Sequence, residues 1–269
     1  GLGILVAVVS MVLVREPVRA SAGTDEKVES IGAVAKTLAQ NRAMRHLLIG
    51  VCVMGLGTHG VSAFLPAYFS RSFGMGLGQA GLAFGMLTGL GSLFGTILGG
   101  FGAEYLAKKD PRWLIAFPGL GGMIGAPIYV LGIMQSNIYV AIPILLVGSV
   151  FQFMVLGPAI AAIHGALGSR SRATGSALLM IMVNMVGQGL GPPLAGFVSD
   201  LMSASAFGSG DFAVRCAGAA GQIAGSHCAQ ASALGLRYAI ALFAMIYVWA
   251  GLHLLWGGHN QKRTATAPA

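Results

Sequence analysis

Charge is scarce in this sequence. Only 9% of its 269 residues are Asp, Glu, Lys or Arg, against about 25% in an ordinary soluble domain. Together with 55% hydrophobic residues and a mean hydropathy of +0.78, this excludes a water-solvated globule and points to a polytopic membrane protein. The signatures of soluble enzymes are also missing: there is no HExxH, no P-loop GKS or GKT, and no GxSxG. A GxGxxG match at 76–81 carries no weight, because no strand precedes it and 42 glycines make such a match expected by chance. A membrane-embedded enzyme would need acids, histidines or cysteines clustered at one face, and His46 and His164 stand isolated in the sequence. No catalytic residue, cofactor or metal site is expected.

What is present is length in apolar runs. Gly1–Val14 is apolar but short of the ~20 residues that cross a bilayer, and neither Met nor a basic region precedes it. It reads as the end of a helix rather than a signal peptide, so the chain is expected to be a fragment. Residues 15–46 form a polar linker. Six spans follow: Leu47–Ser70, Leu77–Leu106, Trp113–Met134, Ile138–Ile163, Thr174–Leu201 and Tyr238–Trp256. The joints are short except for residues 203–233, a Gly/Ala/Ser-rich loop, and residues 257–269 form a tail. The fold class is therefore all-α.

With the sides alternated, one side of the membrane holds thirteen Lys and Arg residues (15, 19, 27, 36, 42, 45, 108, 109, 112, 170, 172, 262 and 263). The other holds Arg71, Arg215 and Arg237. The positive-inside rule puts linker and tail in the cytoplasm. It also accounts for the net charge of +8 without nucleic acid. Cys216 and Cys228 fall in the long outside loop, where a disulfide is expected. Zinc held by Cys216, His227 and Cys228 is the weaker reading, for a structural site wants four ligands. Cys52, inside a span, reads as packing.

The chain is organised around residues 172–200. This run is long enough to cross, yet it carries Asn184 and Gln188 at mid-depth and then Gly187, Gly189, Gly191 and Pro192-Pro193. A break in the helix is expected there, lining a path, because non-helical backbone at membrane depth is tolerated only against protein or water. Other polar groups sit at similar depth: Thr58 and His59 in the first full span, Thr88, Ser92 and Thr96 in the second, and Gln152 in the fourth. Since polar groups in hydrocarbon cost free energy, spans one, two, four and five are expected to enclose a cavity, with three and six facing lipid. Thr58, His59, Gln152, Asn184 and Gln188 are the candidate lining. Each could instead be an interhelical hydrogen bond, worth roughly 0.6–2 kcal/mol. No Asp or Glu lies at mid-depth, so His59 is the candidate proton carrier. Glycines at 81, 85 and 89 and at 91, 95 and 99 mark two smooth faces on the second span.

Several motifs resemble the major facilitator superfamily of transporters. Gly99 to Asp110, which contains Gly100, Glu104, Lys108 and Lys109, resembles its Gly-x-x-x-Asp-basic loop, with Glu104 in place of the usual Asp. Six spans behind a basic linker resemble that superfamily's C-terminal half. The finer resemblance is to the spinster-like branch. It rests on Arg15-Glu16-Pro17, Asp110-Pro111-Arg112-Trp113, Gly157-Pro158, Arg172-Ala173-Thr174, Asn184 through Pro192, Ser199-Asp200, and Leu236 to Ala239. His164 stands where that branch commonly has Gln, and no role is carried onto it.

The resemblance implies a six-helix C-terminal bundle of a twelve-helix fold plus the end of the sixth helix. The missing N-terminal six-helix half and the lipid bilayer would be its partners. It implies a secondary transporter of a bacterial-type inner membrane that works by alternating access. Animal relatives export sphingosine-1-phosphate or lysophospholipids, so a small-molecule or lysolipid-like substrate is expected. Arg172, Gly187, Gly191, Pro192 and Asp200, with the loop motif, would serve conformational change. The alternatives are a non-transporting scaffold or receptor relative, and a channel.

Overall fold

A computed structural model describes residues 2–13, 29–208, 212–216 and 226–265. The Arg15-Glu16-Pro17 motif and most of the linker lie outside the described residues. The described chain is helical: α1 (Leu2–Leu13), α2 (Ile31–Gln40), α3 (Arg42–Phe73), α4 (Leu77–Ala107), α5 (Trp113–Ile133), α6 (Ile138–Gln152), α7 (Leu156–Ala166), a 3-10 turn (Ser169–Ser171), α8 (Arg172–Phe207), α9 (Phe212–Arg215) and α10 (His227–Ala265). Six segments are long and apolar enough to cross a membrane: Arg42–Phe73, Leu77–Ala107, Trp113–Ile133, Ile138–Ala166, Ser169–Phe207 and His227–Gln261. The protein is an integral membrane protein.

Local chemistry sets the helix ends. The side chain of Asn41 accepts from the backbone N–H of Ala43 and of Met44 and starts α3, meeting two of the orphan donors of a first turn. Asn137 does the same for α6 through Tyr139 N–H. Gly74 and Gly208 end α3 and α8 at φ 66° and 77°, a backbone that only glycine adopts without strain. The later part of the linker is the amphipathic helix α2, which buries Val34 and Leu38.

α3 and α10 run along one another at the centre, with α5 and α8 against α10 and α6 against α5 and α4. Small residues let the backbones close in. Gly57 faces the Phe243 carbonyl and the Tyr247 ring, Gly119 faces Leu254, and Gly251 faces Met123. Such contacts replace the hydrophobic effect as the source of cohesion in lipid. Among the described residues the buried side chains are apolar or aromatic apart from Ser149, Gln152, Ser171, Ser199 and Ser203, with the hydroxyls of Tyr68, Tyr129 and Tyr247 also inside.

One expectation changes. The loop between the last two spans is shorter than residues 203–233, since α8 continues to Phe207 and α10 begins at His227. The flanking Ala and Ser residues are small enough to extend a helix. Coverage within this bundle is uneven and does not separate lipid-facing from path-facing spans. α5 and α10 are among its better-covered helices, while spans two and five, α4 and α8, are the least covered. α10 does keep one exposed stripe of Tyr238, Leu242, Met245, Trp249, Leu252 and Trp256, at the three-and-four spacing of a single helix face.

Candidate functional site

The five side chains expected to line one cavity divide into two groups. Thr58 and Gln152 point into the bundle. The Gln152 amide donates to the Tyr247 hydroxyl, and the Tyr247 hydroxyl donates to Thr58 Oγ1 at 3.3 Å. Thr58 in turn donates to the Met54 carbonyl at 2.9 Å. Gln152 is 6% exposed and Tyr247 1%. Three helices, α3, α6 and α10, are thus joined by a polar chain that is buried at Gln152 and Tyr247 and partly exposed at Thr58. Sequence reading missed its hub, Tyr247, because a tyrosine in an apolar run counts as apolar bulk until its hydroxyl finds a partner.

His59, Asn184 and Gln188 form the other group. A side chain at Gly187 would meet His59 Cδ2 at 2.5 Å, so the imidazole lies in the notch that this glycine leaves on α8. His59 is half-buried, and among the described residues no hydrogen bond engages it. One residue further, the exposed Gln188 donates to Asn184 Oδ1 at 2.8 Å, and Asn184 donates to the Met180 carbonyl at 2.7 Å.

The expected break in this span is absent. α8 runs unbroken from Arg172 to Phe207 through Pro192 and Pro193. The prolines still have an effect, since each lacks the N–H that would bond four residues back. The carbonyls of Gln188 and Gly189 therefore lose their helical donors, and both residues are exposed. Gly187 and Gly191 serve packing. A side chain at Gly191 would press on the Gly60 N–H and the Leu56 carbonyl at 2.9 Å. The result is a continuous polar strip on α8, with His59 beside it.

The interruption lies one span earlier. α6 ends at Gln152 and α7 starts at Leu156. Pro158 cannot donate to Met154 four residues back, and that carbonyl turns to α4, where it occupies the place a Gly99 side chain would take. Gly95 likewise receives the Val150 carbonyl, and Gly91 receives Ser149. One glycine face of α4 is therefore the seat of the broken span. On the other face, side chains at Gly81, Gly85 and Gly89 would meet nothing. Thr88 and Ser92 bond to carbonyls of their own helix. Thr96, Gly100 and Glu104 line an apolar groove of about 510 Å³ beside Gly157 and Pro158.

At the helix ends, Glu104 pairs with Lys108 at 3.2 Å. Lys109 lies instead over the Tyr105 ring at 5.1 Å, so the turn is held by one ion pair and one cation–π contact. Arg172 and Asp200 are exposed on α8. Cys216 and Cys228 are joined, with Cα atoms 5.5 Å apart, and His227 packs on Phe207. That pairing occupies both sulfurs, and no metal-binding cluster exists among the described residues. His46 and His164 are not isolated: His164 meets Ser176 at 2.7 Å, and His46 meets His253 at 3.1 Å.

The family model of the Major Facilitator Superfamily matches residues 1–192. An MFS-type efflux pump of Mycolicibacterium smegmatis (strain ATCC 700084 / mc(2)155) is 29% identical over 157 residues, 58% of this chain and 36% of the pump. Crystal structures of a bacterial homolog to the human lysosomal transporter Spinster show the same fold. The inward-facing, unoccupied form has a TM-score of 0.78 at 23% identity and covers 100% of this chain. The inward-facing, occupied form has 0.74 at 24% identity over 99% of it. The chain spans 36% of the pump's length and 59% and 57% of the two solved chains.

Proposed function

The chain belongs to the Major Facilitator Superfamily, a family of transporters and not of enzymes, and from that premise we propose that it is the C-terminal half of a spinster-like secondary transporter. Its six spans form one wall of a path completed by a partner half, an N-terminal set of six helices. A small-molecule or lysolipid-like substrate crosses by alternating access, with His59 as the candidate proton carrier. Residues 1–14 end the sixth helix of the whole carrier, the central linker runs from residue 15 to the start of α3 at Arg42, and the tail begins within the last turns of α10, beyond the span that ends at Gln261. Linker and tail lie in the cytoplasm of a cell whose inner membrane holds the protein, as the thirteen-to-three distribution of Lys and Arg favours.

One observation carries this reading: a mid-depth polar strip left open on the bundle's surface. Asn184, Gln188 and the two carbonyls freed by Pro192 and Pro193 share the exposed side of α8, with His59 against it. Facing hydrocarbon, each would cost free energy. Facing a water-filled path at the midplane, they are solvated and available to a substrate. The bare α4 face at Gly81, Gly85 and Gly89 supports the same reading, since it offers the partner half a surface with no side chains to displace.

Cysteine accessibility tests the proposal. Single cysteines at 59, 184 and 188 in the full-length carrier, with other reactive cysteines removed, are expected to react with a water-soluble maleimide. Candidate lysolipids are expected to slow the reaction. Cysteines at 58 and 152, inside the bundle, are expected to stay unlabelled. If none of the five reacts from either side, the strip is glue between helices and a non-transporting scaffold explains the chain better.

A further inference from the structure

Two histidines 207 positions apart in sequence meet at the linker end of the bundle. His46 lies in the second turn of α3 and His253 in the last third of α10. Their Nδ1 atoms are 3.1 Å apart and their ring centroids 5.4 Å. The centroid distance exceeds the nitrogen distance by about two ring radii, so the rings meet head on. A metal ion shared by both nitrogens would sit off that line and draw the centroids closer. The arrangement is that of an N–H···N hydrogen bond, one imidazole donating and the other accepting. Trp256 stands edge-on to both rings, at 5.8 Å and 5.6 Å, and Trp249 flanks His253 at 6.0 Å.

The elements that pack here carry more basic than acidic groups. α3 itself carries Arg42 and Arg45, and the next titratable group on α10 is His259. α2 brings Lys36 and α8 Arg172, while Arg112, which precedes α5, is paired with Asp110. The other described carboxylates at this end are engaged too, Glu29 by Ser171 and Glu104 by Lys108.

We propose that His46 and His253 form a proton-binding site that clamps α3 to α10 and opens on taking up a second proton. The neutral pair holds one N–H···N bond. A first proton, added at Nε2 of the donor ring, leaves that bond in place and makes it charge-assisted. A second proton can only go onto the accepting Nδ1. It removes the acceptor and sets two cations face to face. The rings must then part, and the start of the first full span separates from the end of the last. Imidazole titrates within the physiological range, so the clamp responds to the pH on the linker side. The site stands whether or not the chain transports.

The experiment uses nitroxide labels on the full-length protein in lipid nanodiscs, with other reactive cysteines removed. Ile49→Cys and Leu252→Cys place the labels at exposed positions on the two helices. Dipolar broadening between them is read as the pH is lowered from about 8 to 5, the range in which histidine changes charge. The expected result is a single-step loss of broadening that is absent in His46→Asn and in His253→Asn, since Asn can hydrogen-bond but cannot titrate. Constant broadening overturns the proposal, as does a step that survives unchanged in both variants. If the Asn variants fail to fold, ring nitrogen chemical shifts of the unsubstituted protein decide. Coupled titration of two rings supports the clamp, and independent titration of every imidazole overturns it.

Discussion

The carbonyl of Met154 lies where a side chain at Gly99 would stand. Two distant sequence features fit each other here: Pro158, in the first turn of α7, has no N–H to offer this carbonyl, and Gly99 leaves the space that receives it.

Gly99→Val is therefore expected to be strongly destabilising. The atom it meets is backbone, which cannot rotate away, so the cost should reach or exceed the ~1–3 kcal/mol of an overpacked core. Gly85→Ala, on the bare face of the same helix, should change the stability of this bundle by no more than ~0.5 kcal/mol. Thermal unfolding in detergent, followed by fluorescence size-exclusion, compares the two. Equal melting shifts would mean that the α4–α7 seat is wrong.

Tyr247→Phe removes the hub that joins α10 to Gln152 and Thr58. It keeps the ring that fills the core and leaves the Gln152 amide buried without that partner, a loss of roughly 1–3 kcal/mol. Adding Gln152→Leu should restore part of the stability, because replacing both partners by apolar groups is nearly neutral. A double-mutant cycle on unfolding measures the coupling. Strictly additive effects would show that the two side chains do not interact.

The fold was legible because it rests on apolar length and charge placement, both one-dimensional quantities. All six spans are found in helical segments long and apolar enough to cross a membrane, and the glycine face at 91, 95 and 99 is visible as a four-residue repeat. The site was only half legible. Depth along a span can be counted from a sequence, but azimuth cannot when the helix is apolar all round. Thr58 and His59 are adjacent and equally deep, yet one points into the bundle and the other towards α8. The break was misplaced for a related reason. Pro192 and Pro193 are tolerated because α8 has an exposed side for the freed carbonyls, whereas the carbonyl that Pro158 cannot bond faces a receptive glycine. Nothing local to either proline distinguishes the two cases. The His46–His253 pair was invisible, since 207 positions separate the two residues.

Gly191→Leu is expected to abolish transport, and the reason is packing rather than hinge motion. Its side chain would drive α8 off the Gly60 N–H and the Leu56 carbonyl. Gly189→Leu, where a side chain would meet nothing, should fold with near-normal stability. Flux measured in proteoliposomes, with insertion checked by protease protection, separates the two. Normal flux in the Gly191 variant would remove the α3–α8 contact from the mechanism.

His59→Gln bears on coupling. The half-buried imidazole lies against Gly187 with no hydrogen-bond partner among the described residues, so Gln can occupy the notch without titrating. If His59 carries a proton, the variant should lose the dependence of flux on pH between about 5 and 8 while still binding substrate. An unchanged pH profile would end that role and direct attention to the partner half.

Cys216 and Cys228 lie 12 positions apart and join the segment after α8 to the start of α10. Closing a loop of that size restricts the unfolded chain and is worth ~3 kcal/mol in the chain-entropy view. Thiol counting on the denatured protein is the direct check. Within this segment only Cys52, buried in α3, should react before reduction, with two further thiols appearing afterwards. Replacing both loop cysteines by serine should lower the melting temperature without altering the labelling of cysteines placed at 184 and 188, because the bond ties the segment after α8 to the start of α10, beyond the far end of α8 from that strip. A loss of labelling there would mean that the loop helps to shape the path, and the division between a staple at the helix ends and a site along α8 would have to be given up.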